Sequence, residues 1–309
     1  ASDILFRGTV AADLEKQLYQ IADLDLTLTP EKQAAIAVRG GIEADIPAQI
    51  LRLNAFRLER EKSTLSGQLL LRGFEGIPSV SGRVELSDFV PAAIAGLAGG
   101  PETDSPFMAV PVSGGLTFEG GENSMSIPAF DLTVDGEMLS GSLDASSLNP
   151  LNAEFKLEAG NIDLDSYLGR DQQKPAGKTA DADSNASPLA MKEMRLKGDV
   201  RVASVKSGGL RFGNIAFGLD LNQNVLNLTG LRADALGIPV SGALAITDPA
   251  GELSYEGNLQ IAAFNPRTVM QQLGTAMPDT SDSKVLSRAS GGFDVTGTTK
   301  GVRLSTRAF

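Results

Sequence analysis

Hydrophobic and polar residues alternate along most of this chain with a period of two. Between residues 23 and 28, for example, three leucines alternate with Asp and Thr. This period places apolar side chains on one face of a β-strand. Similar alternation recurs in six further runs: Val84/Leu86, Phe155/Leu157, Phe217/Leu219/Leu221, Leu253/Tyr255, Leu259/Ile261 and Val302/Leu304. Because Gly, Asn, Asp or Pro separates the runs, the pattern predicts a mainly β protein, a long antiparallel meander of roughly 16 strands.

Three segments of the chain share one pattern with identical internal spacing. The copies are Leu53, Phe56, Leu58, Leu65, Ser66, Gly67 and Leu69, then Ile127, Phe130, Leu132, Leu139, Ser140, Gly141 and Leu143, and then Leu228, Leu231, Ala233, Val240, Ser241, Gly242 and Leu244. Repeated hairpins that cannot bury their apolar faces alone stack sideways into one sheet. The Gly within a strand favours a bulge or a close backbone approach, and hence bending. We therefore predict an elongated, curved antiparallel sheet, a repeating β-groove, with a few short helices.

Each copy is followed by another strand pair and then by a polar residue suited to capping a short helix. These residues are Asp88, Asp163 and Asn265. After Asn265 comes Pro266, which favours the first helical position, and Gly274 is suited to the helix exit. The predicted helices cover residues 91–97, 167–169 and 266–273.

One polar stretch interrupts the repeats. Residues 171–187 are rich in Asp, Ala, Lys and Gln and have no hydrophobic periodicity, which predicts a flexible loop. The loop separates an N-terminal β-repeat region, residues 1–170, from a C-terminal β-repeat region, residues 188–309. We expect the two regions to continue one another.

The composition excludes several classes of function. The 309 residues contain no His and no Cys, so the commonest general base, the commonest metal ligand and thiolate chemistry are all missing. A net charge of −11, without Lys/Arg clusters, argues against nucleic-acid binding. No phosphate-binding glycine loop or nucleophile elbow is found. We therefore predict a protein that is not an enzyme and that uses no cofactor and no metal.

Some charged residues nevertheless invite a functional interpretation. Asp163 and Asp165 could be paired catalytic carboxylates, although a helix cap and a solvated strand face account for them better. Asp23 with Asp25, and Asp181 with Asp183, lack the dense ligand spacing of a calcium loop. A stripe of basic residues on one strand could contact anionic headgroups, but its alternation with apolar residues favours a solvated face. The stripe comprises Arg195, Lys197, Arg201 and Lys206.

The predicted apolar face allows two interpretations, a packed core and a ligand-binding groove. Alternating apolar strands usually form a packed core, and the pattern alone favours that interpretation. An open face would instead form a groove for the acyl chains of lipids, because few aromatic residues are present to fill a broad core. The candidate groove positions are Leu53, Phe56, Leu58, Leu65, Ile127, Phe130, Leu132, Leu228 and Leu231.

Several motifs of the chain resemble the AsmA family. Residues 161–168, NIDLDSYL, are similar to the LDLDxYL segment of that family, and a variable polar loop follows in both cases. Residues 194–202, 231–242 and 264–274 also resemble the family. The likeness covers residues 125 to 300 well and the earlier part more loosely. At residues 235–239, ALGIP, the chain departs from the family's aromatic-Gly-Gly type of turn.

The resemblance implies a location and a role. It implies a periplasmic protein of a Gram-negative bacterium, anchored to the inner membrane by a segment outside this chain. It further implies a lipid-transfer function, in which phospholipid acyl chains bind in the groove and move toward the outer membrane, with outer-membrane or envelope proteins as further partners. The alternative is a scaffold or assembly factor for outer-membrane biogenesis, in which the same residues form a closed hydrophobic core.

Overall fold

The computed structural model describes residues 3–30, 34–92, 106–166, 193–248, 253–275, 286–298 and 301–306. Most of these residues lie in β-strands, which confirms the mainly β prediction. The chain divides into two units, Ala1–Asn149 (unit 1) and Pro150–Phe309 (unit 2). The loop predicted at 171–187 lies outside the described residues.

Unit 1 is an antiparallel sheet in which each strand pairs with the next strand along the chain. A short 3-10 helix, Pro106–Ala109, precedes the seventh strand. The strands are β1 (Asp3–Asp13), β2 (Leu18–Thr29), β3 (Ile36–Asp45), β4 (Ile50–Arg60), β5 (Ser63–Arg72), β6 (Ser79–Phe89), β7 (Val112–Gly120), β8 (Met125–Val134) and β9 (Glu137–Leu148).

Unit 2 is built in the same way, with one helix between its sixth and seventh strands. Its elements are β10 (Leu151–Asp163), β11 (Arg195–Ser207), β12 (Leu210–Asn222), β13 (Val225–Ala235), β14 (Ile238–Thr247), β15 (Ser254–Phe264), α1 (Pro266–Gln272), β16 (Ala289–Thr298) and β17 (Gly301–Thr306). Neighbouring strands from β11 to β17 are antiparallel. One pair departs from the predicted meander, because β10 and β11 are parallel.

The three sequence repeats correspond to three hairpins with the same irregularity. In the first, Leu53 lies opposite Leu69 and Phe56 lies opposite Gly67, so β4 has one residue more than β5 between these pairs. The hairpins β8–β9 and β13–β14 have their register shifts at the equivalent positions. Each copy therefore contains a β-bulge, which the offset of three residues in one strand against two in the other requires.

The Gly of the repeated Ser-Gly lies close to the next strand. A Cβ added at Gly67 would collide with the backbone carbonyl oxygen of Arg83 and would lie 3.1 Å from the Cα of Val84. At Gly242, the equivalent residue of the third copy, a Cβ would collide with the carbonyl oxygen of Asn258. The expected close backbone approach is confirmed at both positions.

Two-residue turns connect several of the hairpins. In the turn Asp135–Gly136 the φ angles are 52° and 85°, and in Gln223–Asn224 they are 50° and 65°. Positive φ at both central residues defines a type I′ turn, whose twist matches that of the flanking strands. The side-chain amide of Asn224 also donates a hydrogen bond of 2.6 Å to Asp248, which ties this turn to the end of β14.

Helix α1 begins as the sequence predicts. The Asn265 side chain accepts a hydrogen bond of 3.0 Å from the backbone N–H of Arg267, and Pro266 occupies the first turn. Gly274, just beyond the helix, has a φ of 63°. Asp163 caps a second helical turn by accepting from the Ser166 N–H. The other two predicted helices lie largely outside the described residues.

The cap of α1 gives a modest test of this local structure. Asn265→Ala removes the acceptor of the Arg267 N–H, and we expect it to destabilise unit 2 by about 1 kcal/mol. Asn265→Asp retains the acceptor and is expected to leave stability close to that of the wild type. Thermal unfolding followed by circular dichroism measures both variants, and equal stabilities for the two variants would contradict the capping role.

Candidate functional site

The strand registers place apolar residues on one face of unit 1, here called the unit 1 apolar face. Residues directly opposite one another in an antiparallel pair project to the same side of the sheet. One row of such partners crosses all nine strands without a polar side chain: Phe6, Leu26, Val38, Leu58, Leu65, Leu86, Gly114, Leu132 and Leu139.

The predicted groove positions of unit 1 lie on this face. Leu58, Leu65 and Leu132 belong to the row just described. A parallel row contains Phe56, Gly67, Val84, Leu116, Phe130 and Gly141. Leu53 and Ile127 lie on the far side of the bulges, opposite Leu69 and Leu143. The bulge keeps them on the same face as Phe56 and Phe130, although three residues separate them in sequence.

The opposite face of unit 1 is polar. The neighbouring row of partners reads Arg7, Asp25, Arg39, Arg57, Ser66, Glu85, Gly115, Asp131 and Ser140. Glu59 accepts hydrogen bonds of 2.6 Å from Arg57 and 2.8 Å from Arg39. The hydrogen bond from Arg57 is the main cause of the lowered pKa of Glu59. This face is therefore charged and solvated, and the sheet is amphipathic.

Unit 2 has an apolar face of its own, the unit 2 apolar face. One row of register partners crosses seven strands from β10 to β16: Phe155, Gly198, Leu219, Leu228, Leu244, Gly257 and Val295. Leu228 is a predicted groove position, and the other one in this unit, Leu231, lies opposite Gly242. The predicted groove positions thus lie on the apolar face in both units.

All nine predicted positions are half-buried, and none of them is buried. The hydrophobic residues that are buried in the described part of the chain are Ile36, Val110, Ala145, Ala153, Val200, Leu221 and Val295. Most of the apolar-face side chains therefore keep part of their surface accessible. A closed core would bury the largest of them completely.

Aromatic rings on the two faces lie over glycines of the neighbouring strand. Phe155 is opposite Gly198, where an added Cβ would lie 2.8 Å from two of its ring carbons. Phe118 is opposite Gly82, where the nearest ring carbon would lie 3.3 Å from such a Cβ. A ring that covers a glycine lies along the sheet instead of projecting from it. These two rings therefore pack against the backbone of the neighbouring strand.

The two carboxylates considered as a catalytic pair have structural contacts. Asp163 accepts a hydrogen bond of 2.8 Å from the Lys206 ammonium group, which lowers the pKa of Asp163 and raises that of Lys206. Asp165 accepts from the backbone N–H groups of Gly208 and Gly209 at 2.6 and 3.1 Å. Asp163 thus links the end of β10 to β11, and Asp165 links the residues after β10 to the turn that follows β11.

Two of the four basic residues of β11 form ion pairs with carboxylates of β10. Arg201 forms an ion pair of 2.8 Å with Glu158 of the neighbouring strand. Lys206 pairs at the same distance with Asp163. Two of the four cations are therefore matched by carboxylates of β10, which leaves less positive charge for an anionic headgroup.

The aspartates considered for calcium do not form a metal site in the part of the chain that the structure describes. Asp25 lies 3.6 Å from the guanidinium group of Arg39, so an arginine is its neighbour. Among the described residues no group of three or more acidic residues could hold a metal ion. Asp181 and Asp183 lie outside the described ranges.

Sequence reasoning missed the pairing of aromatic residues with glycines. Phe155 and Gly198 are 43 positions apart and meet only because β10 and β11 are parallel. A repeated apolar spacing does not contain this information, since it requires the order and register of the strands.

Comparisons with protein-family models, curated proteins and solved structures give no significant match. The described helices include none that is long and apolar enough to cross a bilayer.

Proposed function

We propose that the apolar faces bind the acyl chains of phospholipids, and that the chain is the periplasmic part of an inner-membrane-anchored, AsmA-like protein that helps to move lipids toward the outer membrane. One observation supports the binding proposal above all others. Rows of apolar side chains, half-buried except for Val295, cross each unit, and in unit 1 a charged face lies on the other side of the sheet. The resemblance of residues 161–168 to the AsmA family supports the proposed compartment.

The energetics favour a hydrocarbon ligand. Burial of a CH₂ group contributes about 0.8 kcal/mol, so an acyl chain of about 16 carbons gains roughly 13 kcal/mol before ordering costs. Association costs about 4–15 kcal/mol, and a preformed apolar surface keeps this cost toward the low end. Phe155 and Phe118 lie over Gly198 and Gly82, so a bound chain would approach the sheet closely at these two positions.

Site-specific photo-crosslinking tests the proposal. A photoreactive phenylalanine analogue replaces Phe56 or Phe130 on the apolar face, and in the matched controls it replaces the neighbouring residues Arg57 or Asp131 on the polar face. After irradiation in cells, we expect phospholipid adducts by mass spectrometry at Phe56 and Phe130, and none at the controls.

The controls separate the proposal from its alternative. A scaffold with a closed core predicts no lipid adduct at any of the four positions, together with protein adducts at the exposed controls. Equal lipid labelling on both faces would indicate nonspecific contact with membranes and would also overturn the proposal.

A further inference from the structure

The two rims of the unit 2 apolar face differ in character. At the rim where β13 and β15 begin, here called the polar rim, the turn Gln223–Asn224 joins β12 to β13, and Asp248 follows β14. At the opposite rim, here called the leucine rim, three leucines in or next to the connections are 37%, 37% and 48% exposed. They are Leu164, Leu210 and Leu273.

The outermost rows of the apolar face show the same contrast. The row at the leucine rim contains no polar side chain among the described residues: Ile162, Val205, Phe212, Ala235 and Ile238. The row at the polar rim contains one polar group, the hydroxyl of Tyr255, which lies between Ile246 and Gly297 in the register. A Cβ added at Gly297 would collide with that hydroxyl oxygen, so the phenol lies over β16.

Tyrosine is suited to the boundary between an apolar surface and a polar one. Its ring is apolar, whereas its hydroxyl needs a hydrogen-bond partner or water. Tyr19 has a similar place in unit 1, in the apolar row next to the turns at which β2 and β4 begin, opposite Ala12 and Ala44. The far row of unit 1, however, contains Arg60 and Glu137, so the contrast between the rims belongs to unit 2.

The polar rim also contains a buried acceptor without a partner. Asn224 is 9% exposed, and its side-chain amide donates to Asp248. The side-chain oxygen of Asn224 has no hydrogen-bond partner in the part of the chain that the structure describes. Because buried polar atoms are nearly always paired, this oxygen indicates a donor outside the described residues.

We propose that a phospholipid lies along the strands of unit 2, with its glycerol and headgroup at the polar rim and its acyl chains directed toward the leucine rim. This inference rests on the proposed function, because it assigns an orientation to the lipid on the apolar face. The Tyr255 hydroxyl donates to an ester carbonyl of the lipid. The side-chain oxygen of Asn224 accepts from an N–H or O–H donor of the headgroup.

The dimensions of the face fit this orientation. From Leu226 to Ala235 the strand β13 extends roughly 30 Å, at about 3.3 Å per residue. One acyl chain spans half of the hydrocarbon core of a bilayer, roughly 15 Å. A chain whose ester lies at Tyr255 therefore ends beyond the bulge of β13, in the half of the face next to the leucine rim.

Two photoreactive phospholipids test the orientation. One carries a diazirine beside the ester and the other carries it at the end of the acyl chain, each in vesicles of phosphatidylethanolamine and phosphatidylglycerol. After irradiation with the full chain, mass spectrometry locates the adducts. We expect the ester-proximal probe to label the row of Leu226, Ile246 and Tyr255, and the chain-end probe to label Leu231, Val240 and Ile261.

The outcomes of this experiment separate the orientation from the proposed function. The same distribution of adducts for both probes would overturn the orientation and leave lipid binding intact. No adduct of either probe in unit 2 would overturn both.

An ether-linked phospholipid, which lacks the ester carbonyls, tests the role of Tyr255. Competition against the chain-end probe, scored on the adducts in unit 2, gives the relative affinities of the ester and ether lipids. We expect the wild type to prefer the ester lipid about fivefold, and Tyr255→Phe to bind both lipids alike. Tyr19→Phe makes the same change in unit 1 and should retain the preference. A wild type without this preference, or a preference that Tyr255→Phe retains, would contradict the proposal.

Discussion

Replacing Leu116 with Glu is expected to weaken the binding of a fluorescent fatty acid to unit 1 by about tenfold or more. Leu116 lies between Val84 and Phe130 on the unit 1 apolar face, so the substitution places a carboxylate beneath the bound hydrocarbon. Leaving a charge without water or a partner costs more than the ~1.4 kcal/mol that a tenfold change represents. Titration of the protein into the labelled fatty acid measures the loss.

The neighbouring residue supplies a matched control for this experiment. Thr117 is exposed on the polar face, and Thr117→Glu introduces the same charge one position along the same strand. We expect this variant to bind the fatty acid as the wild type does. Far-ultraviolet circular dichroism checks that both variants are folded. Equal affinities for the two variants would show that the bound hydrocarbon does not contact the apolar face.

A second large effect is expected at the glycine of the first repeat. Gly67 has a φ of 155°, and an added Cβ would meet the backbone of β6, which is less able to move than a side chain. Overpacking of this kind costs about 1–3 kcal/mol, and the unfavourable φ adds about 1 kcal/mol more. We expect Gly67→Ala to destabilise unit 1 by roughly 3 kcal/mol in denaturant unfolding.

Substitutions of two further glycines distinguish the steric clash at Gly67 from the cost of its positive φ angle. Gly136 has a φ of 85° with open space around it, so Gly136→Ala reports the cost of the backbone conformation alone, about 1 kcal/mol. Gly41 has an ordinary φ and would meet no atom closer than 3.7 Å, so Gly41→Ala should change stability little. If Gly67→Ala were as mild as Gly136→Ala, the close approach of β5 to β6 would be refuted.

The sequence predicted the strands and the apolar faces because both depend on local patterns. Alternation of Leu with polar residues requires only that one side of a strand be apolar. The Gly of the repeated Ser-Gly indicated a bulge or a close backbone approach, and the hairpin has both, although the extra residue of the bulge lies in β4 and not beside Gly67 in β5. The cap of α1 was equally local, since Asn265 and Pro266 are adjacent in sequence.

These local patterns do not predict which distant strands pair or whether they pair parallel or antiparallel. Alternation does not distinguish a strand that pairs antiparallel from one that pairs parallel, so the orientation of β10 and β11 could not be predicted. The flat placement of Phe155 on Gly198 follows from that orientation.

The parallel pair has a consequence for how unit 2 assembles. The hairpin of β11 and β12 closes with Ser207 opposite Leu210, three positions apart, whereas Glu158 of β10 meets Arg201 of β11 across 43 positions. Closing the longer segment costs about 2 kcal/mol more in chain entropy. Hairpin formation takes microseconds, so β11 and β12 pair first and offer a finished edge to β10. The parallel pair of unit 2 is thus expected to form after the hairpin whose edge it uses.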